Sequence, residues 1–145
     1  MQLTSSAFEH NGLIPKEYTC QGKNVNPPLA ISEVPAEAKS LVLVLTDPDA
    51  PRGTFIHWTV WNIDPATTEI AEDSVPAGAV EGATSKGKPG YVGPCPPDGE
   101  HRYRFLLIAL DTVLDLPPTT TDDQLQAAGS GHVVERTELV GRYAK

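Results

Sequence analysis

Two histidines in this 145-residue chain stand beside acidic residues and prolines, a setting in which an imidazole can do chemistry. His57 follows the turn Asp47-Pro48-Asp49-Ala50-Pro51-Arg52-Gly53, and His101 follows Cys95-Pro96-Pro97-Asp98-Gly99-Glu100. His10, in a polar loop, and His132, after Gly129 and Gly131, lack such surroundings. Three chemistries compete for the pair. Two histidines and a carboxylate can ligate iron or zinc, but no HxH, HxxxH or HExxH spacing supports a metal site. A histidine base could serve a hydrolase with Cys95 as nucleophile, yet Pro94 and Pro96 constrain that cysteine without activating it, and no serine has a nucleophile-elbow context. The third chemistry is an anion pocket. The imidazoles, the Tyr103 hydroxyl and backbone N–H groups around Gly93 would converge on one phosphate or sulfate. Asp47 would hold a ring nitrogen and favour the charged imidazole.

Strands must bring these residues together. Leu41 to Leu45 is an unbroken apolar run, which reads as a strand covered on both faces. Thr54 to Ile63 is aromatic and β-branched and reads as a second. Strict alternation there puts Phe55, His57, Thr59 and Trp61 on one face and Ile56, Trp58, Val60 and Asn62 on the other. A hairpin between the two strands brings Asp47 close to His57. Tyr91 to Tyr103 is a rigid turn series that delivers His101 to a third buried strand, Tyr103 to Leu110. Elsewhere Leu3 to Phe8 is a weak strand, Tyr18 to Ile31 an ordered loop, and Asp73 to Lys88 the longest loop candidate. Thr121-x-x-Gln124 fits a capping box that opens a helix of two turns, ended by Gly129 and Gly131. His132 to Tyr143 reads as a final strand, exposed on one side.

The length suits one domain spanning residues 1–145, with no need for a disulfide or metal on size grounds. Fourteen prolines and twelve glycines favour a β-rich architecture with long loops. A net charge of −8 argues against a nucleic-acid partner and against adsorption to an anionic membrane. No apolar run approaches the ~20 residues of a membrane span. The first fifteen residues lack the basic and apolar regions of a signal peptide, so the expected location is cytoplasmic, with Cys20 and Cys95 as thiols.

DPDAP at Asp47 to Pro51, His57-Trp58, and GPCPPDGEHRY at Gly93 to Tyr103 resemble the signature segments of the phosphatidylethanolamine-binding protein family. YTCQGKNVNPPL at Tyr18 to Leu29 and ELVGRY at Glu138 to Tyr143 resemble its bacterial and archaeal, Raf kinase inhibitor-like branch. The resemblance runs through nearly the whole chain. It implies a mainly β fold: a large antiparallel sheet, a smaller packed sheet and short helices. It implies a small cavity for phosphate-bearing or similar anions, lined by Asp47, Pro51, His57, Gly93, His101 and Tyr103, with Asp49 and Trp58 as support. Arg102 would pair with a carboxylate behind the site. The resemblance further implies a binder without a cofactor, metal or catalytic residue, acting as a modulator or inhibitor of a partner such as a kinase or serine protease. The chain departs from the branch at Leu29-Ala30-Ile31, at Thr84-Ser85-Lys86-Gly87 and at Val92.

Overall fold

Residues 1–145 are described by a computed structural model. Nine strands and one α-helix follow in chain order: β1 (Gln2–Thr4), β2 (Gly12–Leu13), β3 (Leu29–Ser32), β4 (Ser40–Asp47), β5 (Phe55–Ile63), β6 (Glu69–Ile70), β7 (Val80–Glu81), β8 (His101–Leu110), α1 (Asp122–Gly129) and β9 (Val133–Tyr143). They form a large sheet ordered β2-β9-β8-β4-β5-β7 and a small sheet ordered β1-β3-β6. All pairings are antiparallel except the edge pair β2–β9. The architecture is therefore mainly β, with a small sheet packed on a larger one.

β4 lies at the centre because both of its faces find apolar cover. Leu41, Leu43 and Leu45 pack with Leu3, Leu29, Ile31 and Ile70 of the small sheet. Val42 and Val44 pack with Ile108, Leu110 and Trp61 and with Leu125 of α1. Each such side chain, fully buried, contributes roughly 1.5–3 kcal/mol through the hydrophobic effect. The helix is opened by the Thr121–Gln124 capping box, in which each residue's side chain bonds the other's backbone N–H.

β5 departs from strict alternation, and the departure shapes the site. Leu45 pairs with Trp58, but Thr46 pairs with Ile56, so His57 is an extra residue in a β-bulge. Past the bulge Trp58 and Val60 join the core beneath the small sheet, whereas Ile56 and Trp61 pack on the α1 side. A second slip, between Leu41 and Leu43, sits at Asn62, whose φ is 56°. The Asn62 amide accepts from Leu114 N–H at 2.9 Å and donates to Leu114 O at 2.6 Å, replacing the ladder bonds that the slip removes.

Local readings shift elsewhere. Of the expected Leu3–Phe8 segment only Leu3 and Thr4 are strand, within β1. The expected Tyr18–Ile31 loop ends in β3, which begins just past Pro27-Pro28 and pairs Ile31 with Leu3. Two short strands, β6 and β7, interrupt the stretch after Ile63.

Candidate functional site

Asp47 ends β4 and His101 begins β8, and the two strands run antiparallel with Thr46 opposite Arg104. That register places the Asp47 carboxylate against His101, whose Nδ1 donates to Oδ2 at 2.7 Å. The second carboxylate oxygen accepts from Asp49 N–H at 2.8 Å. Asp47 is 3% exposed and His101 7%, so this pair is an interior one.

His57 takes a different partner. Its Nδ1 donates to the Val92 carbonyl at 2.6 Å, and Val92 N–H donates back to the His57 carbonyl at 2.9 Å. The expectation that Asp47 sits on His57 is therefore corrected. Across the hairpin Asp47 faces Phe55, the bulge sets His57 out of the ladder, and the strand on the other side supplies the imidazole that meets the carboxylate. The charge state is corrected with it. Burial, the largest influence, pushes the His57 pKa below its ordinary value, and neighbouring His101 and Lys86 push it further down. The Val92 carbonyl and Asp47 act the other way without reversing the direction. The neutral ring is favoured, with its proton on Nδ1.

Both imidazoles open on one cavity of about 410 Å³. Its wall also holds Asp47, Pro51, Gly93, Cys95 and, unforeseen from sequence, Asn24, Phe55, Lys86 and Cys20. In each ring Nδ1 is committed to the protein and Nε2 has no protein partner.

Two anticipated donors take other roles, and Trp58 lies buried as support. The Gly93 N–H is not a free donor, because it is spent on Asn24 Oδ1 at 2.8 Å. Glycine is required there, since a Cβ would lie 2.2 Å from Asn24 Oδ1 and 2.8 Å from the Tyr18 carbonyl. Tyr103 is wholly buried beneath the site, its ring 5.4 Å from that of His57 and 6.4 Å from that of His101. Its hydroxyl is sealed from solvent and has no hydrogen-bond partner. Burial first, and then the nearby Asp47 carboxylate, raise its pKa. Trp58 is also fully buried, its Nε1–H donating to Glu81 Oε2 at 2.7 Å and the edge of Tyr91 packed against it.

Asp49 stands behind the cavity. The Arg102 guanidinium grips both its carboxylate oxygens, at 2.8 and 3.0 Å, and Arg102 N–H adds a third bond at 2.9 Å. The side-chain bonds, followed by the backbone one, hold the Asp49 pKa at about 2. The fork braces the turn that carries Pro51.

If Trp58 only supports, Trp58→Phe leaves sulfate affinity within about twofold. It lowers stability by about 2 kcal/mol through the lost Glu81 bond and the smaller ring. Calorimetry and urea denaturation measure the two effects, and a tenfold loss of affinity would show that Trp58 does more than support the site.

The thiol expectation is overturned. Cys20 and Cys95 form a disulfide with a Cα–Cα separation of 5.5 Å, and both residues are exposed. The loops that they join also meet through Cys20 N–H to Pro94 O, Gly93 N–H to Asn24 Oδ1, and Tyr91 hydroxyl to Tyr18 O. The expectation rested on compartment, whereas the pairing follows from the approach of two loops remote in sequence. A disulfide also leaves Cys95 with no thiolate for nucleophilic attack. No cluster of three or more His, Cys, Asp or Glu could hold a metal ion, and no helix is long and apolar enough to cross a membrane.

Comparison with known proteins agrees with this architecture. The family model for phosphatidylethanolamine-binding protein matches residues 4–144. A UPF0098 protein of Methanothermobacter thermautotrophicus is 46% identical over the whole chain and 99% of its own length. Another, from Chlamydia trachomatis, is 47% identical, again over the whole chain and 99% of its own length. Among solved structures, a proposed phosphatidylethanolamine-binding protein homologue from Chlamydia trachomatis superposes with a TM-score of 0.96 at 47% identity, covering 99% of this chain and 97% of the other. Escherichia coli YbcL, presented as a new member of the mammalian family, gives 0.92 at 29% identity, covering 99% and 98%. With its two packed sheets and its match to the family model from residue 4 to residue 144, the chain belongs to the phosphatidylethanolamine-binding protein family.

Proposed function

We propose that the chain is a non-enzymatic module that holds a phosphate, a sulfate or a phosphorylated head group in this cavity and modulates a partner protein. One observation carries the proposal. Two imidazoles, each oriented through Nδ1, present unpartnered Nε2 atoms on the wall of one cavity that also takes Lys86. Rings held in this way lose little freedom when a ligand arrives. At about 410 Å³ the cavity lies in the size range of small-molecule sites and exceeds what one oxyanion needs, which leaves room for a head-group substituent. Asp47 spends one oxygen on His101 and the other on Asp49 N–H, so it orients the site. Family membership supports the partner, a kinase or a serine protease. Titration against a panel of serine proteases tests one half of that pair, and complete lack of inhibition removes it.

The rival reading, a hydrolase built on His57, His101 and Cys95, lacks its nucleophile while Cys95 is bonded to Cys20. Turnover by the reduced protein in a broad hydrolase screen, lost in Cys95→Ala, would revive it.

Calorimetry with sulfate tests the binding proposal, because sulfate has no ionisation of its own near neutral pH. The free protein resists protonation of His57, and a bound anion favours it. Binding therefore takes up a proton between the lowered free-state pKa and the higher bound-state pKa. Affinity falls as pH rises through that window, by up to about tenfold per unit. Flat affinity from mildly acidic to mildly alkaline pH would contradict a protonated His57 in the complex. The same group affects the empty protein. Above the unfolded value, near ~6.5, His57 is neutral in both states. Below it the unfolded chain takes up a proton that the folded chain resists, so stability falls with falling pH.

A further inference from the structure

The Cys20–Cys95 disulfide lies in the wall of the cavity that holds Lys86, His57 and His101, and both cysteines are exposed. The seam beneath it does not depend on the sulfur bond alone, because three hydrogen bonds cross between the same two loops. An accessible disulfide reacts with thiolates in proportion to access and to the attacking thiolate's presence at the sulfur. Here both cysteines line a space whose cationic and imidazole groups suit an anion.

We propose that the cavity is a thiol–disulfide exchange site selective for small anionic thiols, meaning thiols that carry a sulfonate, phosphate or carboxylate. The inference rests on the anion-binding reading of the same cavity. The anionic group sits at Lys86 and the two Nε2 atoms, and the thiolate sulfur attacks one cysteine Sγ. The Sγ–Sγ bond breaks, a mixed disulfide forms, and the electron pair leaves on the other cysteine sulfur, which takes a proton from water. A second molecule of the same thiol attacks the mixed disulfide. It releases the reagent as its own disulfide, oxidised by two electrons, and leaves Cys20 and Cys95 reduced. The chain's net charge of −8 would by itself repel an anionic reagent. Preference for one must therefore come from the local wall.

The test measures reduction rates of the oxidised protein with mercaptoethanesulfonate, mercaptoethanol and cysteamine, in the presence and absence of sodium sulfate at constant ionic strength. Each rate is divided by the rate for the same chain unfolded in urea, which cancels the intrinsic reactivity of each thiol and the overall charge. The anionic thiol is expected to exceed the neutral one by at least about tenfold in this ratio. Sulfate should abolish the excess. Equal ratios, or an order led by the cationic thiol, overturn the proposal, as does an anionic preference that sulfate leaves intact. Sulfate calorimetry on the oxidised protein separates the two claims. Binding without thiol selectivity ends the exchange site and leaves the anion site standing, whereas no binding at all ends both.

Discussion

Replacing His57 and His101 together with alanine should weaken sulfate binding by at least about a hundredfold, to below calorimetric detection. A hydrogen bond to a charged group contributes about 1.5–3 kcal/mol, so two of them correspond to about 3–6 kcal/mol of lost affinity. The single variants separate the roles. His57→Ala removes one Nε2 and the ring bond to Val92, which the backbone bond from Val92 N–H partly backs up. His101→Ala also strips the buried Asp47 carboxylate of its only side-chain partner, leaving the Asp49 N–H. An uncompensated buried carboxylate costs stability, here about 2–3 kcal/mol. Urea denaturation should therefore show His101→Ala as the less stable of the two, while both lose sulfate affinity. If the double variant keeps its sulfate affinity within about threefold, neither ring is the ligand's partner.

The second large effect is on stability. Cys20→Ser with Cys95→Ser should destabilise the fold by about 2–4 kcal/mol, seen as a lower urea midpoint. The bridge spans 75 residues of sequence, long enough for chain entropy alone to give about 4 kcal/mol by constraining the unfolded state. The folded seam keeps its three hydrogen bonds, so sulfate affinity should change by no more than about threefold. A midpoint shift worth less than about 0.5 kcal/mol would show that the unfolded chain is already constrained between these loops. Collapse of sulfate binding would show instead that the bridge shapes the cavity directly.

What the sequence disclosed follows from how local each signal is. The buried strands at Leu41 and Tyr103 were legible because continuous apolar runs need cover on both faces. The helix start at Thr121 was legible because a capping box is a four-residue pattern. The partner of Asp47 was not legible from the hairpin, because register is set across two strand pairs at once and the bulge at His57 leaves no mark in composition. The same bulge breaks the alternation at one point: Trp58 and Val60 keep the face opposite Trp61, as a period of two requires, but Ile56 before the bulge lies on Trp61's side and not on theirs. The family motif implies Tyr103 and Gly93 at the site. The motif says nothing of a hydroxyl sealed under two rings or an N–H already spent on Asn24. Lys86 fell within a segment read only as a long loop, and its approach to the cavity is a tertiary fact. The disulfide was missed for a similar reason. Cysteines 75 positions apart give no spacing signal, and compartment is a poor guide to proximity.

The central claim is that one oxyanion sits between two imidazoles held by Val92 and Asp47. Crystals of the oxidised protein soaked in sodium selenate test it most directly through anomalous scattering. The account predicts a selenium peak inside the cavity, with selenate oxygens within hydrogen-bond reach of Nε2 of both His57 and His101. A cavity holding only water at saturating selenate, or a peak bound elsewhere with both Nε2 atoms unliganded, would contradict it.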